Sequence, residues 1–233
     1  MTDAAAPVDT FGLTLPPEWA QIPLGRGVDR FVDRTRAHLS DQGVSRTDQR
    51  RVEQLLRRLA AECHGEHVTL AALMAQPLGA AGDSIDRARA VAGDVGPEDV
   101  TGLLAATCTV SVMTQDTLAT ELPLTLATMA AAVARPAGAE GAARRGIDVA
   151  DLEPPALVAL PAGPAVRLMR QHTHHDVAGH RLKVFVHQSL VPYDDGRRAA
   201  VVSFATPHTD LARPLTDLFD AIAVTLRLYA DET

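Results

Sequence analysis

Aromatic residues are scarce in this 233-residue chain: one Trp, two Tyr and five Phe make up 3% of it. So few rings leave no stacking platform of the kind that holds single-stranded nucleic acid. Lysine is nearly missing as well, since Lys183 stands alone and Arg carries the rest of the positive charge. With 29 acidic residues against 22 basic ones and a net charge of −7, the clustered cations that nucleic acid or an anionic membrane would need are not expected. The two cysteines, Cys63 and Cys108, fall on a helical apolar stripe and inside an apolar run, which reads as buried, reduced thiols. Long hydrophobic runs are also lacking. The most apolar stretch, Pro123 to Ala134, falls short of the roughly 20 residues that span a bilayer. Met1 to Pro17 carries Asp3 and Asp9 without the basic and then apolar order of a secretory signal. The expectation is a cytoplasmic protein with no membrane insertion and no nucleic-acid partner.

What is present is a core. Hydrophobic residues make up 46% and charged ones 22%, and a single domain over 1–233 of this size buries about 70% of its unfolded surface. Residues 1–10 read as a flexible N-terminus. The preference for Arg, Ala, Gly, Pro and Asp is that of a high-GC coding sequence.

Phe11 to Leu24 reads as a strand broken by Pro16-Pro17, which confines it to an edge or a bend. Val28, Phe31, Val32, Thr35 and Leu39 recur at helical spacing up to Asp41-Gln-Gly43. Ser45-Arg-Thr-Asp48 resembles a capping box, followed by a stripe of Val52, Leu55, Leu56, Leu59 and Cys63 that ends at His64-Gly65. His67 to Met74 and Leu103 to Met113 read as strands, with Gly79 to Glu98 a loop between them. Leu122, Leu126, Met129 and Val133 give a helix over Glu121 to Ala134, and 135–150 reads as a flexible connector.

The C-terminal third is the most legible. Ala156 to Leu160 and Ala165 to Met169 form a hairpin through Pro161-Ala-Gly-Pro164, and a second turn is expected at Asp176 to Gly179. Leu182 to Val191 alternates, with Leu182, Val184, Val186 and Leu190 on one face and Phe185, His187 and Val191 on the other. Asp194-Asp195-Gly196 returns the chain into a strand over Ala199 to Ala205. A final helix from Thr209-Asp210 carries Leu211, Leu215, Leu218, Phe219, Ile222, Leu226 and Tyr229 as one stripe. Helices flanking hairpin-linked strands define an α+β fold with an antiparallel sheet and a long C-terminal helix across it. Because Phe11, Trp19 and Phe31 open the chain and the other aromatics begin at Phe185, the two ends are expected to share one core.

Chemistry is less legible. Gln171-His172-Thr-His174-His175-Asp176 and His180 form a histidine run at a hairpin tip. His175 and His180 would face each other across it and could share Zn²⁺ or Ni²⁺. Against this, His172 and His174 point to one face and His175 to the other. The solvated tip is the competing reading. Cys63-His64-Gly65-Glu66-His67 reads as a helix end with a buried thiol. Ser203, His208 and Asp210 lack the spacing of a triad. Arg46, Arg50, Arg51, Arg57 and Arg58, interleaved with Asp48, Glu53 and Glu62, read as a solvated helix surface, with a partner-binding face as the alternative. Phosphate-binding loops, nucleophile elbows and zinc-protease motifs are not found.

Phe11-Gly-Leu-Thr-Leu-Pro-Pro-Glu-Trp19, Leu190-Val-Pro-Tyr-Asp-Asp-Gly196, Val201-Val-Ser-Phe-Ala-Thr-Pro207 and Leu218-Phe-Asp-Ala-Ile-Ala-Val-Thr-Leu226 resemble a group of actinobacterial accessory proteins with a PsbP-like order of elements. Some of that group are encoded beside type VII secretion components. The resemblance covers the first 25 or so residues and the last 50 or so. It implies a small binding or accessory module and carries over no catalytic residue and no cofactor. The reading is therefore a non-catalytic module with a protein partner. The alternatives are a metal-binding protein using His172, His174, His175 and His180, and a small-molecule binder or enzyme.

Overall fold

The computed structural model describes residues 11–24, 27–65, 68–77, 103–134, 147–175 and 181–229. The loop expected over Gly79 to Glu98, the turn at Asp176 to Gly179 and the N-terminal ten residues lie outside them. Pro16-Pro17 divides the first strand, as their missing N–H groups require. It becomes β1 (Phe11–Gly12) and β2 (Trp19–Ile22). Helices α1 (Val28–Asp41) and α2 (Arg46–Gly65) follow, with Gly43 at φ 74° making the turn between them. Strands β3 (Val68–Pro77) and β4 (Leu103–Thr114) precede α3 (Leu126–Ala134). Then come β5 (Ile147–Leu160), β6 (Gly163–His175), β7 (Arg181–Pro192) and β8 (Arg198–Thr206), a 3-10 turn at Thr209–Leu211, α4 (Ala212–Ala223) and β9 (Arg227–Leu228).

Seven strands form one antiparallel sheet in the order β2-β3-β4-β8-β7-β6-β5, and β1 pairs with β9 in a separate ribbon. The α+β class and the C-terminal helix across the sheet are those expected. Strand register assigns the faces, because successive side chains alternate. Ala72, Cys108, Phe204, His187 and Met169 share the face covered by α4. Leu73, Thr107, Ser203, Gln188 and Leu168 share the other face. There α1 and α2 pack over Ile22, Ala71 and Leu73 at one end of the sheet, while α3 packs over Val166, Leu168 and Ala199 near the other.

The aromatics concentrate under α4. Phe204 stacks on Phe219 at 4.7 Å, Phe185 lies 6.3 Å from Phe219, and Trp19 meets Phe204 edge-on at 6.1 Å. Such pairs add about 0.5–1.5 kcal/mol each beyond the area they bury. The two ends of the chain do meet, through Trp19 and through the pairing of Phe11 with Leu228. The single shared core is corrected, however: Phe31 sits in the separate cluster on the opposite face, because α1 crosses to that side after β2.

Three boundaries also move. The helix expected from Glu121 starts at Leu126, because Thr125 and Thr128 cap it reciprocally: the Thr125 N–H donates to Thr128 Oγ1 (3.0 Å) and the Thr128 N–H to Thr125 Oγ1 (3.3 Å). Leu122 is consequently 64% exposed. Ile147–Ala150, read as the end of the connector, already pair with β6, and 135–146 lie outside the described residues. The last helix stops at Ala223, where the Thr225 hydroxyl bonds the carbonyl of Ile222 and accepts from the N–H of Thr14, turning the chain into β9. Tyr229 therefore leaves the stripe.

The β7–β8 connection is closed by Asp195. Its Oδ1 accepts the N–H groups of Arg197 (2.7 Å) and Arg198 (3.0 Å), and Oδ2 accepts Nε of Arg198 (2.7 Å). Burial alone would raise this carboxyl, but those donors together hold it below its usual value. Gly196 takes φ 65°, a conformation glycine adopts without strain.

Candidate functional site

Alternation along β7 places His187 between Phe185 and Val191 on the α4 face, fully buried. Its Nε2 lies 2.9 Å from Oδ1 of Asp220, and the other oxygen of that carboxylate accepts Nη1 of Arg167 at 2.8 Å. A carboxylate only accepts, so Nε2 carries the ring proton. Nδ1 has no hydrogen-bond partner. The ring lies 6.0 Å from both Phe204 and Phe219. Burial pushes its pKa below the ordinary histidine value, and the opposing pull of Asp220 does not restore it. The imidazole is thus held neutral with no surface open to a substrate. The arrangement ties α4 to the sheet through a polar contact within a largely apolar interface.

The opposite face differs. Between the bank of α1 and α2 and the bank of α3, strands β4, β8 and β7 present Thr107, Thr109, Ser111, Ser203 and Gln188, all half-buried. Gln188 Nε2 donates to Ser203 Oγ at 3.2 Å, and the Thr107 hydroxyl reaches the carbonyl of Ala205 at 3.4 Å. None of the five is ionisable. At the α3 side Arg170, 8% exposed, donates from Nε to Asp151 (2.6 Å) and from Nη2 to the carbonyl of Val133 (3.1 Å). That second bond satisfies an orphan acceptor at the end of α3 and sets a cation against its negative pole. At the other side, a groove of about 680 Å³ runs between α1 and β2–β3, with Arg34, His38 and Glu18 on its rim and Phe31 and Leu73 in its floor. A smaller apolar cavity of about 320 Å³ lies under α3, lined by Met113, Leu124, Met129 and Leu190.

The histidine run falls on β6. In the ladder His172 pairs with Val149 and Val184, His174 with Ile147 and Leu182, and His175 with Arg181. His180 lies outside the described residues. Among the described residues no group of three or more His, Cys, Asp or Glu is arranged to hold a metal ion. Cys63 is buried in the α1–α2 cluster. Cys108 is buried in the sheet, where desolvation pushes its thiol up to about 12. Ser203 bonds Gln188 on the floor. On the basic surface of α2, Arg57 bridges Asp29 (2.6 Å) and Glu53 (3.3 Å), both pairs solvated.

The His187–Asp220–Arg167 contact was not visible in the sequence. Its one signal is a titratable residue at an inward position of β7. Asp220, by contrast, is a single acid beside the apolar stripe of α4. The polar floor had a clearer trace in the alternation of Thr107, Thr109 and Ser111 along β4.

No protein-family model and no curated protein matches the chain. Among solved structures, LpqN of Mycobacterium tuberculosis, described as involved in cell envelope biogenesis, is similar over 97% of this chain and 88% of its own length. The sequence identity is 13% and the TM-score 0.44. A likeness of that size speaks to neither ligand nor activity. Among the described residues no helix is long and apolar enough to cross a membrane.

Proposed function

We propose that the chain is a non-catalytic binding module, an accessory factor that engages a protein partner in the cytoplasm across the floor of its helix-lined sheet face. The observation that carries this reading is the chemistry of that floor: Thr107, Thr109, Ser111, Ser203 and Gln188 array neutral hydrogen-bonding groups on three neighbouring strands. Same-face side chains repeat about every 7 Å along a strand and about 4.8 Å across the sheet, a spacing suited to the alternating donors and acceptors of a polypeptide. Such a surface selects no charge, in keeping with a chain short of clustered cations. Sealing of His187 beneath α4 supports a structural role for its pairing with Asp220. Two buried thiols, Cys63 and Cys108, agree with a reducing compartment, and the resemblance to actinobacterial accessory proteins with a PsbP-like order supports the same reading.

Thr109 and Ser203 pair directly across β4 and β8, so replacing both by Arg blocks the floor at its centre. Expressed at native level in the host, the tagged wild-type chain should co-purify one stoichiometric protein. The double variant should lose it while melting within about 5 °C of the wild type. A wild type that retains nothing, or a folded variant that keeps the same partner, would overturn the proposal.

A further inference from the structure

Strand β5 is the last of the seven, and its outer edge is guarded unevenly. Edge strands invite foreign pairing unless bulges, prolines or charges blunt them. Its first half has all three: Asp148, Asp151 and Glu153, the pair Pro154-Pro155, and register shifts between Asp151 and Glu153 and between Glu153 and Ala156. Its second half, Ala156-Leu-Val-Ala-Leu160, has none. It is uncharged and continuously paired with β6, and it carries Leu157 at 66% exposure, the most exposed large hydrophobic side chain among the described residues.

The register shows which backbone groups this half presents. Ala159 is opposite Pro164. Proline has no N–H, so that pair is the one without ladder hydrogen bonds, and its neighbours alternate. Val158 and Leu160 therefore direct their N–H and C=O groups to β6, while Leu157 and Ala159 direct theirs outward. Pro155 and Pro161, which donate nothing, close the window at both ends.

We propose that this window pairs with the same window of a second copy of this chain, making a twofold, antiparallel β5–β5 junction. Centred on Val158, the pairing sets Leu157 opposite the partner's Ala159 and Ala156 opposite the partner's Leu160. Each outward N–H and C=O of Leu157 and Ala159 then meets its counterpart in the other copy. A large side chain faces a small one at every step off the axis, and Val158 meets Val158 of the partner subunit at the centre. No like charges are opposed, and the prolines stop the ladder where Glu153 would begin to enter. Self-complementarity of this kind is what an isologous interface requires. Five residues a side bury less than a standard interface, so the dimer is concentration-dependent.

Sedimentation velocity on the full chain, from about 5 μM to about 500 μM, tests the proposal together with two variants that place a charge on an exposed side chain. Leu157→Lys puts like charges on either side of the twofold axis, and Leu122→Lys alters a comparably exposed leucine outside β5. The wild type and Leu122→Lys should pass from monomer to dimer over this range, and Leu157→Lys should stay monomeric. A wild-type monomer throughout overturns the proposal. A dimer that survives Leu157→Lys, or that both variants abolish, also overturns it.

Discussion

Replacing His187 by Leu isolates one consequence of burying an imidazole beneath α4. The native ring is fully buried, donates from Nε2 to Asp220 and has no partner at Nδ1. Protonation would place a charge in this desolvated site between Phe204 and Phe219, a cost that the carboxylate of Asp220 offsets only in part. Its folded pKa is therefore lowered. For a base with a depressed folded value, the neutral form is the stable native one. The stabilisation is complete above the unfolded pKa near 6.5 and is lost as pH falls below it, because the unfolded chain then binds the extra proton. Each pH unit in that window removes about 1.4 kcal/mol until the folded value is reached. Taking the wild type from pH 7.5 to 5.5 should thus cost at most about 1.4 kcal/mol through this residue, against a total of roughly 5–15 kcal/mol. Urea titrations at the two pH values can be followed by the fluorescence of Trp19, the single tryptophan, 7% exposed against Phe204. In His187→Leu, Asp220 keeps its bond to Arg167, and the acid-dependent loss should shrink by that amount. Equal losses in the two chains would refute the reasoning, since every other titrating group is common to both.

Phe219→Ala should be the most damaging change in α4, since it empties a fully buried site stacked on Phe204; a loss of about 3–5 kcal/mol in denaturant unfolding is expected. Arg170→Met keeps the aliphatic stem but frees the carbonyl of Val133 and breaks the pair with Asp151. About 1–2 kcal/mol should be lost, together with faster amide exchange in the last turn of α3. Cys108, with its thiol pushed up to about 12 and no exposed surface, should resist a thiol reagent at pH 8 in the folded protein and react fully in urea. Labelling at the same rate in both states would show that the β4–β8 region opens freely.

Much of the architecture was legible because burial imposes a period. The stripe of Phe31, Val32 and Leu39 marks α1, and the alternation of Phe185, His187 and Val191 against Val186 and Leu190 assigns the faces of β7. Boundaries set by single hydrogen bonds were less legible. The reciprocal Thr125–Thr128 cap and the Thr225 hydroxyl decide where α3 starts and α4 ends, and neither contributes to an apolar pattern. The site was less legible again. Thr107 and Thr109 alternate on β4, but Ser203 and Gln188 join them only through the β4–β8 and β8–β7 registers.

By itself the sequence determined the α+β class, the hairpins of the C-terminal third and the meeting of the two chain ends. These follow from local periodicity, turn chemistry and the placement of a few large aromatic side chains. Tertiary structure decided the rest: that Phe31 leaves the aromatic core for the far face, that His187 finds Asp220 33 residues away, and that a neutral polar floor lies between two helical banks. Those outcomes depend on strand order and register, which join residues distant in the chain and leave no period in it to read.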